Sequence, residues 1–346
     1  MPRLSSLRDV KELIQAVFEG NEESLQRFGM TPYPQMKAYL IESNHKTPAD
    51  SGCPSGEWRS LDAPGWYVNQ DSQYPETMFL DASLERVWRL YSLLNVPISD
   101  DLVDRWVTSR KGLDYCWLSR NQMLHVEEME SWQMRGLGLT FSDGLHPPDE
   151  AGYFSLKAWH GAYQYLKDLE DLFKKAKDQF AIYSARWQKK VNDSVVMSVE
   201  WYSKGKVTVN RGHDVDEVLA HVAEMSFRYE DALREATSLR DQKLAPFELD
   251  YSQPIDLQAF ADKVQAGIGD MKLWLVEVET QSDFRRFKGV DLHTWDRVFL
   301  DVGCDHAYLT IPGRGCVNAA PRISVVQGED NAGRTEILYD GVEVFA

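Results

Sequence analysis

The sequence predicts an α+β protein: a mainly helical N-terminal part, followed by α/β units and a C-terminal mixed or antiparallel sheet with packed helices. Three observations carry this expectation. Apolar residues recur at helical spacing through the first hundred or so positions. Strand-like and helical stretches alternate between residues 153 and 210, and short β-branched segments separated by Gly, Pro and Asn fill residues 272–339. With 346 residues, the chain exceeds the ~250–300 at which a single core stops growing, so two domains are expected. The division falls into a helical domain, residues 1–150, with a long loop at 47–65, and an α+β domain, residues 151–346, itself divisible near 245–255.

Leu4, Leu7, Val10, Leu13, Ile14, Val17 and Phe18 mark one face of a first helix that starts after Ser5 and Ser6 and stops at Gly20. Thr47 to Gly65 is rich in Pro, Gly, Ser and Asp and carries no period, which reads as a surface loop. Leu84, Val87, Trp88, Tyr91 and Leu94 predict a second helix capped by Asp81, and Leu102, Val103, Trp106 and Val107 a third capped by Ser99. Ser119–Trp132 predicts a weaker fourth.

Tyr153–Trp159 reads as a strand, Tyr163–Phe180 as a helix and Ile182–Trp187 as a strand. Val195–Tyr202 and Lys206–Asn210 form a hairpin around Lys204-Gly205. Asp214, with Glu217 three residues on, opens a long helix lined by Val215, Val218, Leu219, Val222, Met225 and Leu233. Ile255–Val264 is another helix, ended by Gly267 and Gly269. Lys272–Glu279 has apolar residues on both sides and suits a strand covered on two faces. Arg297–Val302, Ala307–Ile311, Arg322–Gln327 and Glu336–Tyr339 follow as short strands.

The formal charge of −16 comes from 38 basic and 54 acidic residues. It excludes a uniformly basic nucleic-acid binder, yet it is unevenly spread: −9 over residues 1–150, +5 over 151–211 and −12 over 212–346. In the basic island Lys174, Lys175, Lys177, Arg186, Lys189, Lys190, Lys204, Lys206 and Arg211 lie among Trp159, Tyr163, Tyr165, Tyr183, Trp187, Trp201 and Tyr202. Cations neutralise phosphates and aromatics stack on bases, so this interleaving suits a nucleic-acid groove, and an acidic protein surface suits it equally. Glu170–Lys174 and Asp171–Lys175 are i,i+4 pairs on an exposed helix face. That leaves Arg186, Lys189, Lys190, Lys204, Lys206 and Arg211 as the binding candidates. Trp58 and Trp66 join them, because they fall in the irregular stretch where an aromatic-bearing loop would meet a partner.

Asp291, His293, Asp296, Asp301, Asp305 and His306 are the densest collection of acid/base and metal-ligating side chains. Asp291, His293, Asp301 and His306 are the candidate ligands for a divalent metal in a hydrolase or nuclease, since mixed carboxylate and imidazole donors suit Mn²⁺, Zn²⁺ or Fe²⁺. The surrounding motifs are incomplete. Asp270, Glu277 and Glu279 offer nuclease-like acids, but Thr280 stands where the motif needs Lys. Asp214 is better used as a helix cap than as the partner of His213 or His221. No Walker A motif, G-x-G-x-x-G, H-E-x-x-H or G-x-S-x-G occurs.

The leading expectation is therefore a non-enzymatic interaction subunit binding other macromolecules through its basic, aromatic-rich middle segment, with a protein partner and no resident cofactor. Metal-dependent hydrolysis through 291–306 and nucleic-acid binding through 151–211 are the alternatives, and catalysis stays undecided. Cys53, Cys116, Cys304 and Cys316 make no C-x-x-C pair, and no apolar run approaches the ~18 residues of a membrane span. Both observations predict a cytoplasmic protein without membrane contact.

Overall fold

The computed structural model describes residues 4–27, 35–129, 131–142, 153–159, 181–243, 245–266, 272–331 and 334–346. Mostly antiparallel β-sheet, in sheets of eleven and seven strands, replaces the expected helical N-terminal part and its packed helices. The chain forms two compact units. The first comprises Met1–Cys116, Glu128–Gln133 and Arg186–Glu230, the second Trp117–Glu127, Met134–Ala185 and Asp231–Ala346.

Helix α1 (Leu7–Glu19) is where the sequence puts it. Ser6 Oγ accepts from the Asp9 amide and the Asp9 carboxylate accepts from the Ser6 amide, a reciprocal cap, and Gly20 closes the helix at φ 63°. Val10, Leu13, Ile14 and Ala16 are its buried face. After α2 (Glu22–Arg27) the chain enters β1 (Lys37–Ser43), whose seven residues are all buried. The expected loop at 47–65 contains α3 (Pro48–Ser51) and β2 (Glu57–Ser60), and β3 (Trp66–Gln70) and β4 (Met78–Asp81) follow.

The predicted second helix is instead β5 (Val87–Ser92). Val87, Trp88 and Tyr91 match a helical period by coincidence. Every residue of β5 is buried, so both faces need apolar groups and the alternation that would identify a strand is absent. Its supposed cap, Asp81, ends β4 and holds Arg89 at 2.7 Å. The third helix exists as α4 (Val96–Ser109), but its cap is Asn95, whose side chain accepts from the Ile98 amide; Ser99 lies inside the helix. A short β6 (Leu113–Tyr115) pairs with β1. Of the fourth helix only α5 (Arg120–Leu124), capped by Ser119, and a 3₁₀ turn at His125–Glu128 form.

Strands β7 (Trp132–Ser142) and β8 (Tyr153–Trp159) pair antiparallel. The expected helix at 163–180 lies outside the described residues. In the first unit β9 (Ser184–Val191), β10 (Ser194–Tyr202) and β11 (Lys206–Gly212) complete the order β2-β3-β4-β5-β1-β11-β10-β9. The β9–β10 turn, Asn192-Asp193, has φ of 49° and 61°, the geometry of a tight two-residue hairpin. The predicted β10–β11 hairpin turns at Gly205, where a Cβ would lie 2.5 Å from the Cys116 carbonyl oxygen. Asp214 then caps α6 (Val215–Gln242) through the amides of Asp216 and Glu217.

The second unit holds the seven-stranded sheet β13-β14-β15-β16-β12-β17-β18. Its members are β12 (Phe247–Tyr251), β13 (Leu273–Thr280), β14 (Phe284–Asp291), β15 (Arg297–Gly303), β16 (His306–Thr310), β17 (Thr335–Tyr339) and β18 (Val342–Glu343). Helix α7 (Leu257–Ala266) starts after Asp256, whose carboxylate accepts from the Gln258 and Ala259 amides. Arg322–Gln327, expected as a strand, lies in α8 (Ala319–Asn331), where Ala319, Ala320, Ile323 and Val326 are buried. Leu273, Leu275, Phe287, Val298, Leu300, Leu309, Phe247, Leu249 and Tyr339 form the inner face of this sheet, with Phe260 of α7 edge-on to Phe287 at 5.9 Å.

Candidate functional site

The basic candidates all belong to the first unit and are largely engaged there. Lys206 Nζ donates to Asp100 at 2.7 Å and lies 5.3 Å from the Tyr202 ring centre. Tyr39 Oη donates to the same carboxylate at 2.6 Å. Buried beside them, Lys37 donates to the Gln35 carbonyl at 2.6 Å and to that of Leu94, and desolvation, followed by repulsion from Lys206, lowers its pKa to about 8. Lys189 lies 3.6 Å from Glu217 at the start of α6. Lys204 stands over the Tyr115 ring at 5.9 Å. Arg186 donates to Ser198 at 3.5 Å, and Ser198 is the cross-strand partner of exposed Arg211, so these two arginines flank one position. Lys190 is half-buried. Lys174, Lys175, Lys177, Tyr163 and Tyr165 lie outside the described residues.

Trp58 and Trp66 are structural anchors on β2 and β3. Trp58 Nε1 donates to the Gly52 carbonyl at 2.7 Å and the ring meets Trp106 edge-on at 6.3 Å. Trp66 stacks on Tyr91 at 5.8 Å. In the same unit Trp201 Nε1 donates to His221 Nε2 at 3.0 Å while Trp132 stacks on that imidazole at 4.5 Å. Burial, followed by the charge of Lys189, lowers the His221 pKa to about 3 and keeps the ring neutral. Buried Glu42 is paired with Arg86, whose amide donates to Glu230 at 3.2 Å.

The sheet separates the four candidate metal ligands of the second unit. Asp291 is on the inner side, where Arg322 grips both carboxylate oxygens at 2.9 and 3.3 Å; both residues are almost wholly buried. His293 is buried beside it, its amide donating to Asp291 at 2.9 Å. Asp301 is on the outer side and receives the Arg286 guanidinium at 2.8 and 3.0 Å. His306 pairs with Asp305 at 2.6 Å. Asp291, His293, Asp301 and His306 do not, among themselves, bring three ligand atoms within 4.8 Å of one another.

What the sequence did not reveal is the outer face of β13–β15. The expectation of two-sided cover for β13 fails: Leu273 and Leu275 are buried, whereas Trp274 is 63% exposed and Val276 and Val278 are also exposed. Phe299 is exposed, and Leu292 and Trp295, the latter 64% exposed, project from the β14–β15 turn. Among the described residues the other large exposed apolar groups, Val191, Phe227 and Val342, are scattered. Cross-strand rows run Trp274–Val290–Arg297 and Val276–Lys288–Phe299. Acidic Glu248, Asp250 and Glu336 occupy the far side of the same face, on β12 and β17. There desolvation and Glu248 raise the Asp250 pKa. The only hint in the sequence is Trp274, Val276 and Val278 at spacing two, and the apolar Leu273 and Leu275 between them conceal which side is open.

A family model described as MJECL33-like protein matches residues 2–326. A protein of Methanocaldococcus jannaschii, described as uncharacterized protein MJECL33, is 22% identical over 339 residues, covering 83% of this chain and 82% of that one. No solved structure matches.

Proposed function

We propose that this chain, which belongs to the MJECL33-like protein family, works by binding another protein through the outer face of β13–β15. The observation that supports this reading is the grouping of exposed Trp274, Val276, Val278, Phe299, Leu292 and Trp295 on one sheet and its adjoining turn. Contiguous apolar surface on a folded chain marks an interaction site, and tryptophan is the side chain most enriched at binding hot spots. The interaction role expected from the sequence is kept, but its surface moves. Lys206 and Lys189 are engaged by Asp100 and Glu217, and Trp58 and Trp66 support the fold, so the basic middle segment offers less to a partner than its composition suggests.

The free thiols of Cys53, Cys116, Cys304 and Cys316 support a reducing, cytoplasmic setting. Among the described residues no helix is long and apolar enough to cross a membrane.

A photo-crosslinking residue placed at Val276, in extract of the producing organism, should yield discrete protein adducts that are absent when it is placed at the equally exposed Val191. Equal labelling at both positions, or none at Val276, would refute the assignment of this face.

A further inference from the structure

We draw no further inference here: the strongest candidate, the end strand β13 of the seven-stranded sheet with exposed Trp274 and Val276 along it, belongs to the face already described, and nothing in the structure shows what covers it.

Discussion

Individual residues in this chain take their roles from burial rather than from chemical type. Asp291 looks like a metal ligand in sequence because it precedes His293 by two positions. In the fold it is the counter-charge of Arg322, and both are shut away from water. Removing one member of such a pair strands the other, so Arg322→Met should cost about 3–5 kcal/mol in urea unfolding. Adding Asp291→Asn should restore part of that loss, and a purely additive double variant would show that the pair is not coupled. His221 gives a pH-dependent counterpart. Its folded pKa of about 3 is below the ordinary 6.5, so the unfolded chain binds a proton that the folded chain refuses. This contribution to stability is complete above pH 6.5 and is lost as pH falls from there towards 3, at up to ~1.4 kcal/mol per pH unit. His221→Gln retains an acceptor for Trp201 and should flatten the acid limb in that window. Denaturation measured at several pH values checks this, and identical slopes would refute it.

Elements whose two faces meet different surroundings were legible, and those buried on both faces were not. Helix α1, with a clear apolar stripe, a reciprocal cap and a terminal glycine, is found almost where its spacing puts it. The β10–β11 hairpin is equally plain because Lys204-Gly205 separates two strand-like runs, and Gly205 makes the turn at φ 68°. Strand β5 has no polar face at all, and its Val87, Trp88 and Tyr91 imitate a helix. Strand β13 fails in the opposite way, since its second apolar face is open to solvent. Pairing of β13 with β14 depends on Gly289, where a Cβ would fall 1.8 Å from the Trp274 carbonyl oxygen. Gly289→Ala should therefore force the strands apart, at a cost of more than about 1 kcal/mol. Hydrogen exchange should accelerate at the amides of β13 before the rest of the sheet, and uniform protection there would argue against so close a fit.

At the scale of the whole molecule, the net charge of −16 predicts little about where contact is made. Counting charge along the chain pointed to residues 151–211, but folding brings Asp100 to Lys206 and Glu217 to Lys189. The seven-stranded sheet does the reverse. Arg285 and Arg286 engage Glu277, Glu279 and Asp301 and leave an apolar edge on a face whose other end carries Glu248, Asp250 and Glu336. The candidate face was thus present in the sequence as residues but not as a site. By itself the sequence determined the capped starts of α1 and α6, the turn at Lys204-Gly205 and the absence of a complete catalytic motif, because each depends on neighbours a few positions apart. Only the tertiary structure decided that β5 is a strand, that Asp291 and Asp301 face opposite sides of a sheet, and that Trp274 meets solvent. Those outcomes depend on which distant segments cover each face and which charges pair across it, and local spacing carries no record of either.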